Sequence, residues 1–366
     1  MNPIGSTVSL CAVIAGRRMM EDRPVSTPNP LGQPLEKPVR LPVAELRDLA
    51  ERALRSAGVP VKGARWQADL LIDAELKGQP SHGLLRLPRL VRRIRAGVAD
   101  PETTGTHTWI GQALLQVEGG QGLGPVVART ALDVVQERVH ETGIAAASIA
   151  SANHLGMLAW YAEHVAKRGL VCLAMTTSEA LVHPYGGRRA LIGTNPIAVG
   201  VPAEPEPFVL DMATSQISMG KVHAHALREE PLEPGWALDA DGEPTVDPLR
   251  AKEGALAPFG GAKGYGLGLA IELMVASLTG TALGTGITGT LDSVHPATKG
   301  DLFVLLRPAV VPGHLTDYLT EIRDSGPDRA VLVPGDRARE CRSRALANGV
   351  ELPTALVAEL RALDHA

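Results

Sequence analysis

Apolar positions recur at helical spacing early in the chain. Leu46, Leu49, Ala53 and Leu54 fall on one face, and Gly58 stops the run. Trp66, Leu70, Leu71 and Ala74 predict a second helix ending at Gly78, and residues 84–94 a third ending at Gly97. The pattern then alternates between short apolar runs and helical periods. It predicts strands over 113–117, 144–149 and 170–176, with helices over 125–140 and 155–168 between them. Loops punctuated by glycine and proline follow, with a strand over 208–210 and a long helix over 263–278. Strands over 301–306 and 330–333 enclose a helix over 315–324, and helices over 337–347 and 354–363 close the chain. The class is mixed α/β, and the pattern leaves the sheet order open.

Composition narrows this little. At 366 residues the chain is long enough for about two domains of ~150 residues each. With 45% apolar and 21% charged residues it has the balance of a globular protein. Aromatics make up only 3%, which argues against platforms for stacked bases, and a formal charge of -4 argues against a nucleic-acid partner. Cys11, Cys172 and Cys341 stand alone, so neither a disulfide framework nor a zinc site is expected. The apolar run over 8–15 precedes Arg17 and Arg18, the reverse of a secretory signal, and no run approaches the ~18 apolar residues of a membrane span. The expectation is a cytoplasmic protein with no membrane partner. Six prolines in residues 1–38 predict a flexible N-terminal extension.

Three motifs fail on context. Gly284-Thr-Gly286-Ile-Thr-Gly289 matches a dinucleotide fingerprint, but a helix rather than a strand precedes it and no helix follows, so a turn is expected. Asp239-Ala-Asp241-Gly-Glu243 begins like a calcium loop, yet Pro244 and Arg250 occupy the positions that need glycine and a carboxylate. An Asp-Gly turn fits better. His223-Ala-His225 would place two imidazoles on one face of a strand, with no third ligand at recognisable spacing, so no metal is expected.

Two histidines sit in more suggestive settings. Ser81-His82-Gly83 lies between two predicted helices, and Arg86 follows His82 by one helical turn. A guanidinium fork beside an imidazole suits a 2-oxo carboxylate, because the fork binds the carboxylate and the ring hydrogen-bonds the keto oxygen. A capping serine beside a solvated histidine and arginine is the plainer alternative. Ser151-Ala-Asn153-His154-Leu-Gly156 follows a buried strand, where α/β proteins often carry catalytic groups; a helix cap at Asn153 is the plainer reading there. Gly193-Thr194-Asn195-Pro196 and Asp211-Met212-Ala213 form polar turns, and residues 258–266 lead lysine and backbone amides into a long helix, a setting that suits an anion.

Taken in order, SHGLLRLPRL (81–90), SANHLG (151–156), TTSEALVHPYGG (176–187), IGTNPIAVGVP (192–202), DMATS (211–215), GWALDADGEPTVDP (235–248), PFGGAKGYGLGLAIEL (258–273) and PGDRARECRSRALANGVEL (334–352) resemble the type 2 malate and L-lactate dehydrogenase family. That family also holds ureidoglycolate and sulfolactate dehydrogenases, diketogulonate reductases and cyclic imino-acid reductases. The resemblance runs from about residue 40 to the C-terminus. It implies a non-Rossmann, sulfolactate dehydrogenase-like fold with four segments: the extension (1–38), a helical part (39–115), a central cofactor domain (116–300) and a C-terminal segment (301–366) that returns to the helical part. It further implies a homodimer that uses NAD or NADP to reduce a small 2-oxo acid, with a cyclic imino acid as the alternative substrate. A non-catalytic nucleotide-binding protein of the same fold is the third reading.

Carried over by motif, the resemblance gives catalytic roles to Ser81, His82, His154 and Asp211, with Asp211 orienting an imidazole and Arg86 clamping the carboxylate. Ser178, Asp211, Met212, Ala213, Lys263, Gly264, Gly335 and Asp336 would meet the cofactor, and Thr194 and Asn195 would join His82 and Arg86 around the substrate. Leu90 departs from the pattern, since many relatives carry an aromatic there. Glu179 would accept ribose hydroxyls and favour NAD, whereas Arg188 and Arg189 would welcome a 2′-phosphate.

Overall fold

A computed structural model describes residues 37–309, 312–328 and 330–363. The expected extension over 1–38 falls almost wholly outside them. The chain enters through β1 (Val39–Leu41) and two helices, α1 (Val43–Ser56) and α2 (Val61–Leu76). Prolines at 42 and 60 stand immediately before each helix, where a missing N–H costs nothing. Two 3-10 turns, Pro80–His82 and Leu84–Arg86, lead into α3 (Leu87–Arg95).

The alternating region follows as β2 (Thr106–Ile110), β3 (Leu114–Glu118), α4 (Gly124–Thr142), β4 (Ile144–Ala150), α5 (Leu158–Ala166) and β5 (Val171–Thr176). Next come β6 (Ala180–Val182), β7 (Ile192–Gly193), β8 (Ile197–Val201), β9 (Phe208–Met212), α6 (Met219–Leu227), β10 (Ala237–Leu238), β11 (Pro244–Thr245), α7 (Pro248–Lys252), β12 (Ala255–Leu256) and α8 (Ala262–Thr279). The chain finishes with β13 (Gly300–Leu306), α9 (Pro312–Asp324), α10 (Asp336–Asn348), β14 (Val350–Leu352) and α11 (Thr354–Ala362).

The large sheet runs β2-β3-β4-β13-β5-β8-β9. Of its pairings only β3 with β4 is parallel, so this is no doubly wound parallel sheet. β13, from late in the chain, lies antiparallel between β4 and β5. The sequence boundaries at 115/116 and 300/301 therefore both fall inside strands of one sheet. β13 is buried on both faces apart from two half-exposed positions, as the middle strand of a covered sheet must be.

The first and last described strands pair, Val39–Leu41 with Val350–Leu352, and α11 packs on α1 and α3. One apolar core joins these helices to the faces of β3, β4 and β5 through Leu46, Leu71, Leu132, Ala147 and Phe303. A second, smaller sheet, β11-β10-β12-β6-β7, stands beside β9 and α6. Its strands span two or three residues each, too short for a period-2 pattern to announce them.

Two sequence expectations are corrected. Residues 330–333 form no strand: among the described residues their backbone donors meet the Arg323 carbonyl, from Val331, and the Asp336 carboxylate, from Val333, rather than a neighbouring strand. His223 and His225 lie on α6, not a strand, so two residues' spacing turns them to different faces; His225 instead stacks edge-on to Trp236. No helix among the described residues is long and apolar enough to cross a membrane.

Candidate active site

The Ser81–Arg86 segment is held from beneath by Glu75. This carboxylate, buried in α2, accepts the Leu84 N–H at 2.7 Å. A Cβ at position 83 would sit 2.2 Å from its Oε1, so only glycine lets the turn lie this close. The contact splits what the sequence reads as one helix from 84, and His82 and Arg86 belong to separate 3-10 turns rather than to one helical turn. They still share a site. Arg86 Nε donates to the Ser81 carbonyl at 2.8 Å and its terminal nitrogen to the Thr290 carbonyl at 3.4 Å. Burial pushes the Glu75 carboxyl up to about 7, against the opposing pull of the Leu84 N–H.

The second histidine arrives from the end of β4. Ser151, at φ +53°, turns the chain out of the strand. Asn153 then ties that turn down: it accepts from Arg93 Nε at 2.8 Å and donates to the carbonyls of Gln121 and Gly122. It caps no helix, since Met157 holds the cap position of α5. His154 is thereby placed with its ring centroid 5.6 Å from that of His82.

The ring environments differ. His154 Nδ1 accepts the Gly156 N–H at 2.8 Å, so its proton sits on Nε2. His82 Nδ1 lies 3.0 Å from the Ser81 hydroxyl, which can give or take a proton. Burial, then the Arg86 charge, lowers His82 to about 4. Burial also holds His154 well below the usual imidazole range, helped by Arg86, His82, Lys299 and Arg89. Both shifts favour the neutral ring, and the Arg86 guanidinium contributes to each.

These groups open into a cleft of about 3020 Å³, beyond the ~300–1,000 Å³ typical of a small-ligand site and roomy enough for a dinucleotide beside a small acid. Ser178, Thr194, Asp211, Met212, Ala213 and Gly335 line the same cleft. The Ser178 hydroxyl accepts the Thr194 N–H at 2.9 Å, which joins the loop after β5 to that after β7. Lys221 on α6 adds positive charge to the wall, whereas Arg228 after it is paired with Glu230 at 2.7 Å.

Several expected residues take other roles. Asp211 accepts the Ala159 N–H at 2.7 Å at the start of α5 and makes no hydrogen bond to either imidazole among the described residues. It does not orient a ring; burial, only partly offset by its backbone hydrogen bonds and Lys77, raises its carboxyl to about 6. Asn195 is fully buried and pins its turn to α8 through the Gly268 carbonyl and Glu272. Lys263 is exposed on the first turn of α8, outside the cleft wall, and Gly264 is packed against the Phe259 carbonyl. Asp336 is already bound by Arg323, Arg339 and the Val333 N–H, which together pull it down to about 2 against its desolvation. Glu179 accepts from Thr290 and Leu291 rather than standing free for a ribose, and Arg188 pairs with Glu243. Gly284–Gly286 forms a short turn held by Glu272, as its context implied.

Sequence reading missed Glu75 and Arg89, both of which line the cleft. Glu75 had a signal: a carboxylate on an otherwise apolar stretch of helix asks for a buried partner. It also missed the buried Lys299–Asp301 pair beneath His154, whose Asp301 takes a further hydrogen bond from Thr176.

The fold is thus a mixed sheet outside the Rossmann pattern, with paired imidazoles and an arginine lining one large cleft. The profile of the malate/L-lactate dehydrogenase family matches residues 41–361, and the chain belongs to that family. A dehydrogenase from Sinorhizobium meliloti superposes with a TM-score of 0.86 at 52% identity, over 89% of this chain and 98% of its own. The sulfolactate dehydrogenase of Methanocaldococcus jannaschii gives 0.84 at 32% identity, over 89% of this chain and 97% of its own. A Delta(1)-pyrroline-2-carboxylate reductase from Ancylobacter novellus is 34% identical over 342 residues, 90% of this chain and 98% of that protein. The chain is thus an oxidoreductase of the kind that acts on a hydroxy or oxo acid, or on a cyclic imino acid.

Proposed function

We propose that the protein reduces a small 2-oxo acid to the 2-hydroxy acid with NADH or NADPH, and that the two histidines carry the proton chemistry. The observation that carries this reading is the facing pair His82 and His154 beside Arg86. A nicotinamide held in this cleft would supply the hydride for C2 of the acid. Arg86 holds the substrate carboxylate, which fixes the reacting carbon. His154, with Nδ1 occupied by the Gly156 N–H, presents Nε2–H to the carbonyl oxygen and polarises it. His82 gives the proton that completes the hydroxyl, and the Ser81 hydroxyl accepts the Nδ1–H of the resulting ring. Burial is the larger cause of the lowered His82 value and the Arg86 charge the smaller; a carboxylate arriving beside Arg86 offsets the smaller one and favours the acid form to that extent.

Ser178, Thr194, Met212, Ala213 and Gly335 form the cofactor wall in this scheme, on the side of the cleft where β9 ends. Asp211 supports that wall from behind by anchoring α5. We further propose a cytoplasmic homodimer. A helix apolar on every side belongs in an interior, yet α8 exposes Leu267, Leu273 and Met274. Imine reduction is the second reading, favoured by the likeness to the pyrroline-2-carboxylate reductase.

The test is hydride transfer in His82→Ala and His154→Ala. Each loses at least ~100-fold in kcat, the usual worth of one positioned acid or polarising donor. Near-normal rates in both variants would overturn the scheme.

A further inference from the structure

Helix α2 is buried along the row Gln67, Leu71 and Glu75, one residue per turn, so two polar side chains enter the interior from it. Glu75 has its partner in the Leu84 N–H. Gln67 is only 4% exposed, and its carboxamide makes no hydrogen bond among the described residues. It lines a small cavity of about 40 Å³ on the α2 and α3 side of the imidazole pair. The other polar groups there are of two kinds. Asn153 and Arg93 are spent on structure, bonded to each other and to backbone carbonyls. His82, Arg86 and His154 also line the large cleft, so the cavity opens off the place where the reacting groups meet. Gln67, Leu70, Leu71 and Leu90 line the cavity and not the cleft, an aliphatic wall with one carboxamide in it.

A buried carboxamide is costly to leave without a partner, so a ligand that meets it gains over one of the same shape that does not. A water-sized group needs ~10–15 Å³, and the cavity therefore takes roughly three such groups, the size of a short side chain. In the reading of the cleft as a 2-oxo acid site, on which this inference rests, Arg86 takes the carboxylate and the imidazoles take the carbonyl oxygen. The third group on C2 then points toward α2 and α3, away from the cofactor wall where β9 ends. We propose that the cavity receives this C3 substituent, and that Gln67 is the specificity-determining residue that hydrogen-bonds a neutral polar group on it. A methyl group in the same place leaves the carboxamide unpaired. Leu90 acts by its size, since a larger side chain there would fill the cavity.

The experiment compares hydroxypyruvate with 2-oxobutanoate, which match in size and reacting end and differ in a hydroxyl against a methyl. Gln67→Met keeps the length of the side chain, removes its hydrogen bonds and orphans no partner in the protein, so folding is retained. It lowers the hydroxypyruvate-to-2-oxobutanoate ratio of kcat/KM by ~10–100-fold relative to wild type, the worth of one buried hydrogen-bonding group. Comparison with wild type cancels the intrinsic reactivity of the two ketones. Leu90→Phe tests the cavity from α3: it lowers kcat/KM for both acids by at least ~10-fold and spares glyoxylate, which has no C3. A ratio unchanged in Gln67→Met overturns the proposal, and so does an equal loss on all three acids in Leu90→Phe. Binding of glycerate against 2-hydroxybutanoate, in the presence of NADH or NADPH, separates this inference from its parent. If no 2-oxo acid is turned over but the preference for glycerate depends on Gln67, the subsite stands and the 2-oxo acid reading falls. If the acids are turned over and the preference is the same in wild type and Gln67→Met, the subsite falls and that reading stands.

Discussion

At the scale of single residues, the site works by deciding which nitrogen carries a proton. The Gly156 N–H occupies Nδ1 of His154, which leaves that ring a fixed donor through Nε2 and a poor candidate for the imidazolium form. The Ser81 hydroxyl imposes no such direction on His82. The sequence names both histidines and Arg86 without telling their roles apart, because the distinction comes from a backbone amide and a neighbouring hydroxyl that have no motif of their own. Asp211 shows the opposite failure. Its motif is legible, but the Ala159 N–H claims its carboxylate before any imidazole can. Asn195 and Asp336 fail likewise, since buried side chains with several donors or acceptors are consumed by the fold around them.

At the scale of elements, the decisive contact is between α2 and the pair of 3-10 turns that carries His82 and Arg86. Glu75 makes it, and burial raises its carboxyl to about 7 from an ordinary value of 4.5. A carboxyl raised on folding holds its proton in the native state while the unfolded chain has released it. Its contribution to stability is thus fully present below about 4.5 and is lost as pH rises through 7. Glu75→Gln keeps an acceptor for the Leu84 N–H and removes the titration. Its unfolding free energy relative to wild type should therefore rise between pH 5 and pH 8, by up to ~3 kcal/mol. Urea unfolding of both proteins at the two pH values checks this, and a constant difference would show that Glu75 does not titrate in the window. The long elements around this contact were legible: α1, α2, α4, β4, α5, β5, α8 and α10 each carry enough turns or apolar residues to show a period. β10, β11 and β12 were not, being two residues long, with β12 joined to β6 from far earlier in the chain. The 330–333 segment misled for the complementary reason, since an apolar run predicts a strand only where a partner exists.

At the scale of the whole molecule, the pairing of β1 with β14 and the insertion of β13 between β4 and β5 bring late segments into early layers. No local period announces such crossovers, so the sheet order is not legible in the sequence. The same scale holds the proposed homodimer. If α8 is covered by a second copy, Leu273→Asp together with Met274→Asp should shift the protein from dimer to monomer in sedimentation. An unchanged dimer would place the contact elsewhere, and a wild-type monomer would remove it. The central claim is hydride transfer to the C2 of a 2-oxo acid, and it has a direct measurement. The full-length protein is mixed with NADH or NADPH deuterated at the transferable position and with oxaloacetate, and the label is located in the product by mass spectrometry. The account predicts cofactor oxidation with deuterium on the carbon bearing the new hydroxyl. Cofactor left unoxidised with oxaloacetate and pyruvate alike, or a product without the label, would contradict it.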